Sequence, residues 1–264
     1  MEIGIVMPLK AKAVAKNWSV TSENLKATVD SVLAQNSDAF HAVVVGHDCP
    51  ALFSERRYLD SKCEFLPYGD FEPPKAGPDE SANQLKYEFD RCTKILRGIM
   101  YLKQKYPSIT HWFSLDADDL IRNDFVKALE RYEGFDAIIL EKGYFYFKNT
   151  GVFHEENEFS AYCGSSSIIS DRVFDLPSQV NEKSYRDTPF GNISHVHMRK
   201  RLHEEGWSIS VPEERVIMYV RDNGENISND AFRKTYYNQF KKSLKMILRY
   251  RFVGKDVKAS FGLT

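Results

Sequence analysis

Three aspartates, Asp116, Asp118 and Asp119, stand within four positions directly behind the apolar run from Trp112 to Leu115. Carboxylates this crowded repel one another unless a cation or several hydrogen-bond donors compensate, and hard divalent ions take oxygen ligands of this kind. Mg²⁺ or Mn²⁺ held there would bridge to the phosphates of a nucleotide and neutralise charge on a departing diphosphate. The D-x-D spacing suits that work, because two side chains separated by one residue converge where a chain turns out of a strand. A plain turn, with Asp116 or Asp119 capping the next helix, is the competing reading, and it needs one carboxylate rather than three. An EF-hand calcium loop is excluded, since Ile121 stands where its turn glycine belongs and Lys127 where its bidentate glutamate belongs.

Other chemistry-bearing types are sparser. His195 and His197 lie two apart in "SHVH", a spacing that converges on one face of a strand but not of a helix. Cys49, Cys63, Cys92 and Cys163 lie far apart without a C-x-x-C pair, which argues against a structural zinc site and a disulfide framework.

The aspartates need a strand to end where they begin, and "THWFSL" supplies it. Upstream, "EIGIVMP" reads as a buried strand closed by Pro8, "SENLKATVDSVLAQN" as a helix with Ser22 as N-cap, and "HAVVVGHDCP" as a second strand. Strand, helix, strand is a parallel crossover unit, so an α/β sheet covered on both faces is expected. "KCEFLPY" continues as a third strand and "GDFEPPKAGPDESANQ" as a mobile loop. "KYEFDRCTKILRGIMYLKQKY" returns to helical spacing, and "NDFVKALERY" reads as a helix capped by Asn123. Beyond it come aromatic strand-like segments, then "HVHMRKRLHEEGW" as a helix ended by Gly206. In an open α/β sheet, ligands sit beyond the carboxyl ends of the strands, where the aspartates lie.

At 264 residues the chain is long enough for one large core. A net charge of -1 with 28% charged residues gives no argument for nucleic-acid binding. The charge is uneven, however, with nine Lys or Arg against two Asp between Asn229 and Thr264. That basic, partly amphipathic tail has two readings, a helix packed on the domain or a second subunit, and a peripheral contact with an anionic membrane. The opening "MEIGIVMPLK" has neither a basic region nor the apolar core of a signal peptide, and no stretch is long and apolar enough to span a bilayer, so a cytoplasmic location is expected.

In order, the chain carries "IVMP", "LKATVDSVLAQN" from Leu25 to Asn36, "VVVGHD" ending at Asp48, and "LDADD". This succession resembles the N-terminal halves of family 2 glycosyltransferases of the GT-A fold, over about residues 3 to 130. The resemblance implies a nucleotide-diphosphate sugar donor, a hydroxyl acceptor on a glycan or lipid-linked glycan, Mn²⁺ or Mg²⁺ as cofactor, and inversion. It gives Asp48 the place of the acid that binds the nucleotide base, Asp116 that of the aspartate near the ribose, and Asp118 that of the metal ligand. Pro8 marks the first nucleotide-facing loop. Two departures are "LKAKAVAKNW" after that proline and "HDCP" after the second strand. Lys10 and Lys12 are read as exposed loop residues, with phosphate contact as the alternative.

Family 2 enzymes usually carry the catalytic base in "G-E-D" ahead of a helix containing R-L. Here Arg201-Leu202 and Gly206 are present but the acidic pair is not, and Asp187 is the nearest acid that could substitute. Some GT-A enzymes add a C-terminal histidine to the metal, so His195 or His197 could be a ligand or even the base, with a partly buried polar residue of a helix as the alternative. Gly164 and Ser165 correspond to a small-residue turn beside the acceptor. Arg221 and Asn226 could close over the diphosphate. Tyr144 and Tyr146 offer faces for a sugar, although core packing is preferred. The expected fold is thus α/β, a GT-A mixed sheet flanked by helices. One domain over 1–228 would divide near residue 130 into nucleotide and acceptor halves on a single mixed sheet, followed by the tail 229–264. The rival functions are a sugar nucleotidyltransferase, disfavoured because the loop after Pro8 has no glycine, and a non-catalytic nucleotide- or sugar-binding protein of the same fold.

Overall fold

The computed structural model describes residues 1–225 and 255–263. Its larger sheet has seven strands, and the alternation within the first two explains how it is covered. In β1 (Ile3–Pro8), Ile3, Ile5 and Met7 face one side and meet Leu25, Val29 and Val32 of α1 (Trp18–Leu33). Val6, with Val43 and Val45 of β2 (Phe40–Gly46), faces the other and meets Ile95, Ile99 and Leu102 of α3 (Glu80–Lys105). Strands buried on both faces need helices on both faces, and the two long helices supply them. Between β2 and α3 come the short α2 (Arg56–Leu59) and β3 (Cys63–Pro67).

The chain continues through β4 (His111–Ser114), β5 (Leu120–Ile121), α4 (Phe125–Leu129), β6 (Ala137–Ile139), β7 (Gly143–Phe147) and β8 (Val152–Glu156). After β9 (Ser167–Ser170) follow α5 (Pro189–Asn192), α6 (Met198–Glu204), β10 (Ile209–Ser210), β11 (Ile217–Arg221) and α7 (Lys255–Ser260). The large sheet runs β10-β6-β9-β4-β1-β2-β3. Strands β1 to β4 pair in parallel, while β9 is antiparallel to both β4 and β6. The chain passes from β1 outward to β2 and β3, then returns to place β4 on the other side of β1. The order therefore reverses between β1 and β4, and the carboxyl ends of these strands flank a crevice.

Several expectations are corrected. Only part of the second half shares the first half's sheet: β6, β9 and β10 join the seven-stranded sheet, whereas β7, β8 and β11 pair with β5 in a separate four-stranded sheet. Its aromatic strands have their own apolar face, where Leu120, Tyr144, Phe153, Met218 and Val220 are closed over by Phe261 behind α7. Ser22 lies inside α1, because Asn17 caps the helix one turn earlier by accepting from the Ser19 and Val20 N–H groups. Likewise Asp79 caps α3, so Glu80 to Gln84 are helical rather than loop. Asn123 does not cap α4; the Val126 N–H donates instead to Gln35 Oε1 at the end of α1, at 3.0 Å. No helix among the described residues is long and apolar enough to cross a membrane.

Candidate active site

A cleft of about 520 Å³ opens in that crevice. Pro8 and Lys10 line it beyond β1, Asp116 and Asp118 beyond β4, Glu88 and Arg91 along α3, and Tyr219 and Glu225 from the last strand and its exit.

The three aspartates have different surroundings. Asp119 is buried and points inward, accepting from Ser165 Oγ at 2.8 Å, the Cys163 thiol at 3.1 Å and the Val220 N–H at 3.2 Å. Burial pushes its pKa well above the ordinary carboxyl value, and Asp118 and Asp116 add to the shift. It ties the end of β4 to the Cys163–Ser165 turn and to β11, a structural role different from the helix cap expected of it, since β5 rather than a helix follows. Asp116 and Asp118 face the cleft. Asp118 Oδ2 accepts from Asn223 Nδ2 at 2.8 Å, and burial, with the charge of Asp116 behind it, pushes its pKa up to about 6.

Arg91 spans two acids: Nε reaches Asp116 Oδ1 at 3.3 Å and Nη1 reaches Glu88 Oε1 at 3.4 Å. Burial works against the guanidinium charge, but Asp116 and Glu88 outweigh it and hold Arg91 protonated. Gly164 explains how the turn before β9 approaches so closely. A Cβ there would lie 2.9 Å from Arg91 Nη2 and 3.3 Å from Asp116 Oδ2. Ser165 is fully buried; besides donating to Asp119, its hydroxyl accepts from the Asp116 N–H at 2.9 Å. These two residues shape the aspartate turn.

Behind the cleft, the buried Lys94 ammonium donates to Asp90 Oδ2 at 2.5 Å and to the Leu9 carbonyl at 2.8 Å. His47 Nε2 meets the other Asp90 oxygen at 3.0 Å. Desolvation lowers the Lys94 pKa and Asp90 opposes that shift. The ion pair pins the Pro8–Lys10 segment from below. From above, the buried Glu225 carboxylate accepts from Lys10 Nζ at 3.1 Å, the Lys16 N–H at 3.1 Å and the Asn17 N–H at 2.5 Å. Lys10 therefore lines the cleft and is paired, against the expectation of an exposed loop residue. Asn223 and Glu225 make the exit from β11 a strap that touches both the metal-candidate aspartate and the N-terminal loop.

The remaining sequence-predicted residues lie around the cleft or away from it. Asp48 accepts from the Lys12 N–H at 2.8 Å and does not line the cleft. Arg221 stacks among aromatic rings, 5.6 Å from the Tyr219 centroid and 5.7 Å from that of Phe145. His195 and His197 share one 3-10 turn ahead of α6. The His195 pKa is depressed by burial and by Arg91, while Asp116 pulls the other way, which puts His195 within electrostatic reach of that pair. Asp187 is exposed in the turn Ser184–Asp187 and does not line the cleft. Tyr144 is buried against Phe261, and Tyr146 stacks on Phe153. Asn226 and most of the basic tail lie outside the described residues.

Sequence reasoning passed over Glu88, Arg91, Lys94, Asn223 and Glu225. A signal existed for the helix: Gln84, Tyr87, Glu88 and Arg91 recur at i, i+3, i+4 and i+7 and form one polar face toward the cleft.

A divalent ion of the Mg²⁺ type needs one or two carboxylates and fills its other positions with phosphate oxygens and water. Asp116 and Asp118 fit that requirement, their mutual repulsion being relieved by a cation. Among the described residues no group of three or more His, Cys, Asp or Glu side chains forms a closed cage.

No protein-family model matches the chain, and no curated protein matches it. Among solved structures it is similar to a "putative nucleotide-diphospho-sugar transferase" from Desulfovibrio desulfuricans G20, with a TM-score of 0.38 and 11% identity over 95% of this chain and 99% of that one. It is also similar to Rv0371c from Mycobacterium tuberculosis H37Rv, with a TM-score of 0.41 and 10% identity over 83% of this chain and 89% of that one. Likenesses this distant decide neither activity nor substrate, and the functional reading rests on the cleft.

Proposed function

We propose that the chain is a glycosyltransferase of GT-A architecture. It moves a sugar from a nucleotide-diphosphate donor to a hydroxyl acceptor on a glycan or lipid-linked glycan, with inversion and with Mn²⁺ or Mg²⁺ bound. The observation that carries the reading is that Asp116, Asp118 and Lys10 line one cleft at the reversal point of the sheet. In it, Asp116 and Asp118 would hold the metal, which would supply positive charge for a departing diphosphate. Lys10 faces the phosphates, and Pro8 with the Lys94-pinned loop carries the nucleoside. Arg91 holds the Asp116 carboxylate in place through its Nε–H, and Tyr219 offers a ring to the sugar.

Calorimetric titration of UDP and GDP, each with Mn²⁺ and with EDTA, into the wild type and Asp118→Asn tests the reading. Metal-dependent binding that the variant loses is expected. If neither nucleotide binds the wild type, the proposal is discarded and the aspartates are a structural turn. Inversion is checked separately by the anomeric configuration of the product.

The placement of Asp187 outside the cleft favours one second reading, a protein of this architecture that binds nucleotide sugars without turning them over. Nucleotide binding without release of nucleoside diphosphate from any sugar donor would favour it.

A further inference from the structure

An inverting transfer needs a carboxylate to take the acceptor proton, and five carboxylates line the cleft: Glu88, Asp90, Asp116, Asp118 and Glu225. Four are engaged elsewhere. Asp90 is clamped between Lys94 and His47. Asp116 and Asp118 form the metal end, and Glu225 is filled by Lys10 and two backbone N–H groups. Glu88 differs. Its side chain is 58% exposed, and its contacts are the long one to Arg91 and a thiol donated by Cys92 at 3.3 Å. Burial pushes the Cys92 pKa up to about 12, so that thiol stays a donor.

Position supports the same choice. Glu88 sits on the face of α3 that looks into the cleft, one guanidinium away from Asp116. A group there is close to the metal end yet open to a molecule entering from solvent.

We infer that Glu88 is the catalytic base, the role for which Asp187 is out of position; this assignment rests on the transferase reading. The acceptor O–H proton passes to the Glu88 carboxylate while the acceptor oxygen forms its bond to the anomeric carbon. The bond from that carbon to the donor phosphate oxygen breaks, and its electron pair leaves with the nucleoside diphosphate. Glu88 ends neutral and the leaving group carries the negative charge toward Lys10.

The test uses the full chain with Mn²⁺, the donors UDP-glucose, UDP-N-acetylglucosamine and GDP-mannose, and methyl glycosides as acceptors, reading release of nucleoside diphosphate. Glu88→Gln should lower turnover by about 10²- to 10⁴-fold, the range for a lost general base, with UDP or GDP affinity within about twofold of wild type. Sodium formate, a soluble carboxylate, should partly restore Glu88→Ala, an effect a merely structural role would not show. Glu80→Gln, on the same helix outside the cleft, should behave as wild type. Turnover of Glu88→Gln within about threefold of wild type would overturn the assignment, as would loss in Asp187→Asn instead, or a Glu88→Ala defect that formate leaves untouched. Nucleotide binding distinguishes the two levels. If UDP and GDP fail to bind the wild type, the transferase reading falls and takes the base with it. If they bind and Glu88→Gln turns over normally, only the base is wrong; if they bind and the wild type turns over no donor, the binding-protein reading replaces both.

Discussion

Asp118 and Asp119 are adjacent in sequence and do opposite work, because one faces the cleft and the other faces the core. Asp119→Ala would remove the acceptor of the buried Ser165 hydroxyl and Cys163 thiol inside the core, costing about 2–4 kcal/mol in a urea titration. An unchanged unfolding midpoint would mean that water replaces the carboxylate. For Asp118 the effect has the opposite sign above about pH 6. The folded protein holds the Asp118 proton up to about pH 6, whereas the ordinary value is 3.8. Ionising the group therefore penalises the folded state above about pH 6, and the penalty fades as pH falls through that value and vanishes below the unfolded one. Two pKa units would set an upper bound of about 3 kcal/mol, and partial access of solvent reduces this to about 1 kcal/mol. Without metal, Asp118→Asn should thus melt about 2–4 °C above wild type at pH 8, with the two curves converging toward pH 4. A lower melting temperature for the variant at pH 8 would show that the charge is instead well compensated in the apo protein.

At the scale of elements, α3 is the piece that joins fold to site, since its apolar face packs on the sheet while its polar face forms a wall of the cleft. Gly98 permits that packing. A Cβ there would stand 2.4 Å from Val6 Cγ1 of β1 and 3.0 Å from Val45 Cγ2 of β2. Alanine is the better helix former by about 1 kcal/mol, yet Gly98→Ala should destabilise the protein by a net ~1–3 kcal/mol, because the helix must lift from the valines. A stabilised variant would show that α3 can shift freely, and the helix would lose its claim to position Glu88 and Arg91. The same helix marks how far the sequence could be read. Its apolar spacing at Cys92, Ile95, Leu96, Ile99 and Leu102 was legible, as was that of α1, because burial on one face leaves a period in the sequence, while β1, β2 and β4, buried on both faces, were legible as short continuous apolar runs. Its start was not legible, since Asp79 competes with a proline-rich stretch for the same residues. The D-x-D turn could be found from its charge. The strap from Asn223 to Glu225 could not, because its partners Asp118, Lys10, Lys16 and Asn17 are distant in the chain and no local pattern announces such a pairing.

On the scale of the whole molecule, the second sheet holds one side of the aspartate turn, and the C-terminal residues close that sheet. β5 begins directly after Asp119 and pairs with β11, whose Val220 N–H returns to Asp119 and whose exit carries Asn223 to Asp118. Phe261 is buried edge-on to Tyr144 at 5.7 Å, and the Asn123 N–H just beyond β5 donates to the Ser260 carbonyl at 2.8 Å. Loosening this corner should therefore reach the site, whereas loosening the β10–β6 edge of the large sheet, where α6 packs, should not. Phe261→Ala should cost about 3–5 kcal/mol, and Leu202→Ala, in the α6 layer, about 2–5 kcal/mol, so the pair can be compared at similar stability. Under conditions where both variants are folded, Phe261→Ala should weaken Mn²⁺-dependent UDP or GDP binding several-fold, and Leu202→Ala should leave it near wild type. Equal affinities in the two variants would mean that the aspartate turn is held by β4 and the Cys163–Ser165 turn alone. The second sheet would then be a neighbour of the site rather than one of its walls.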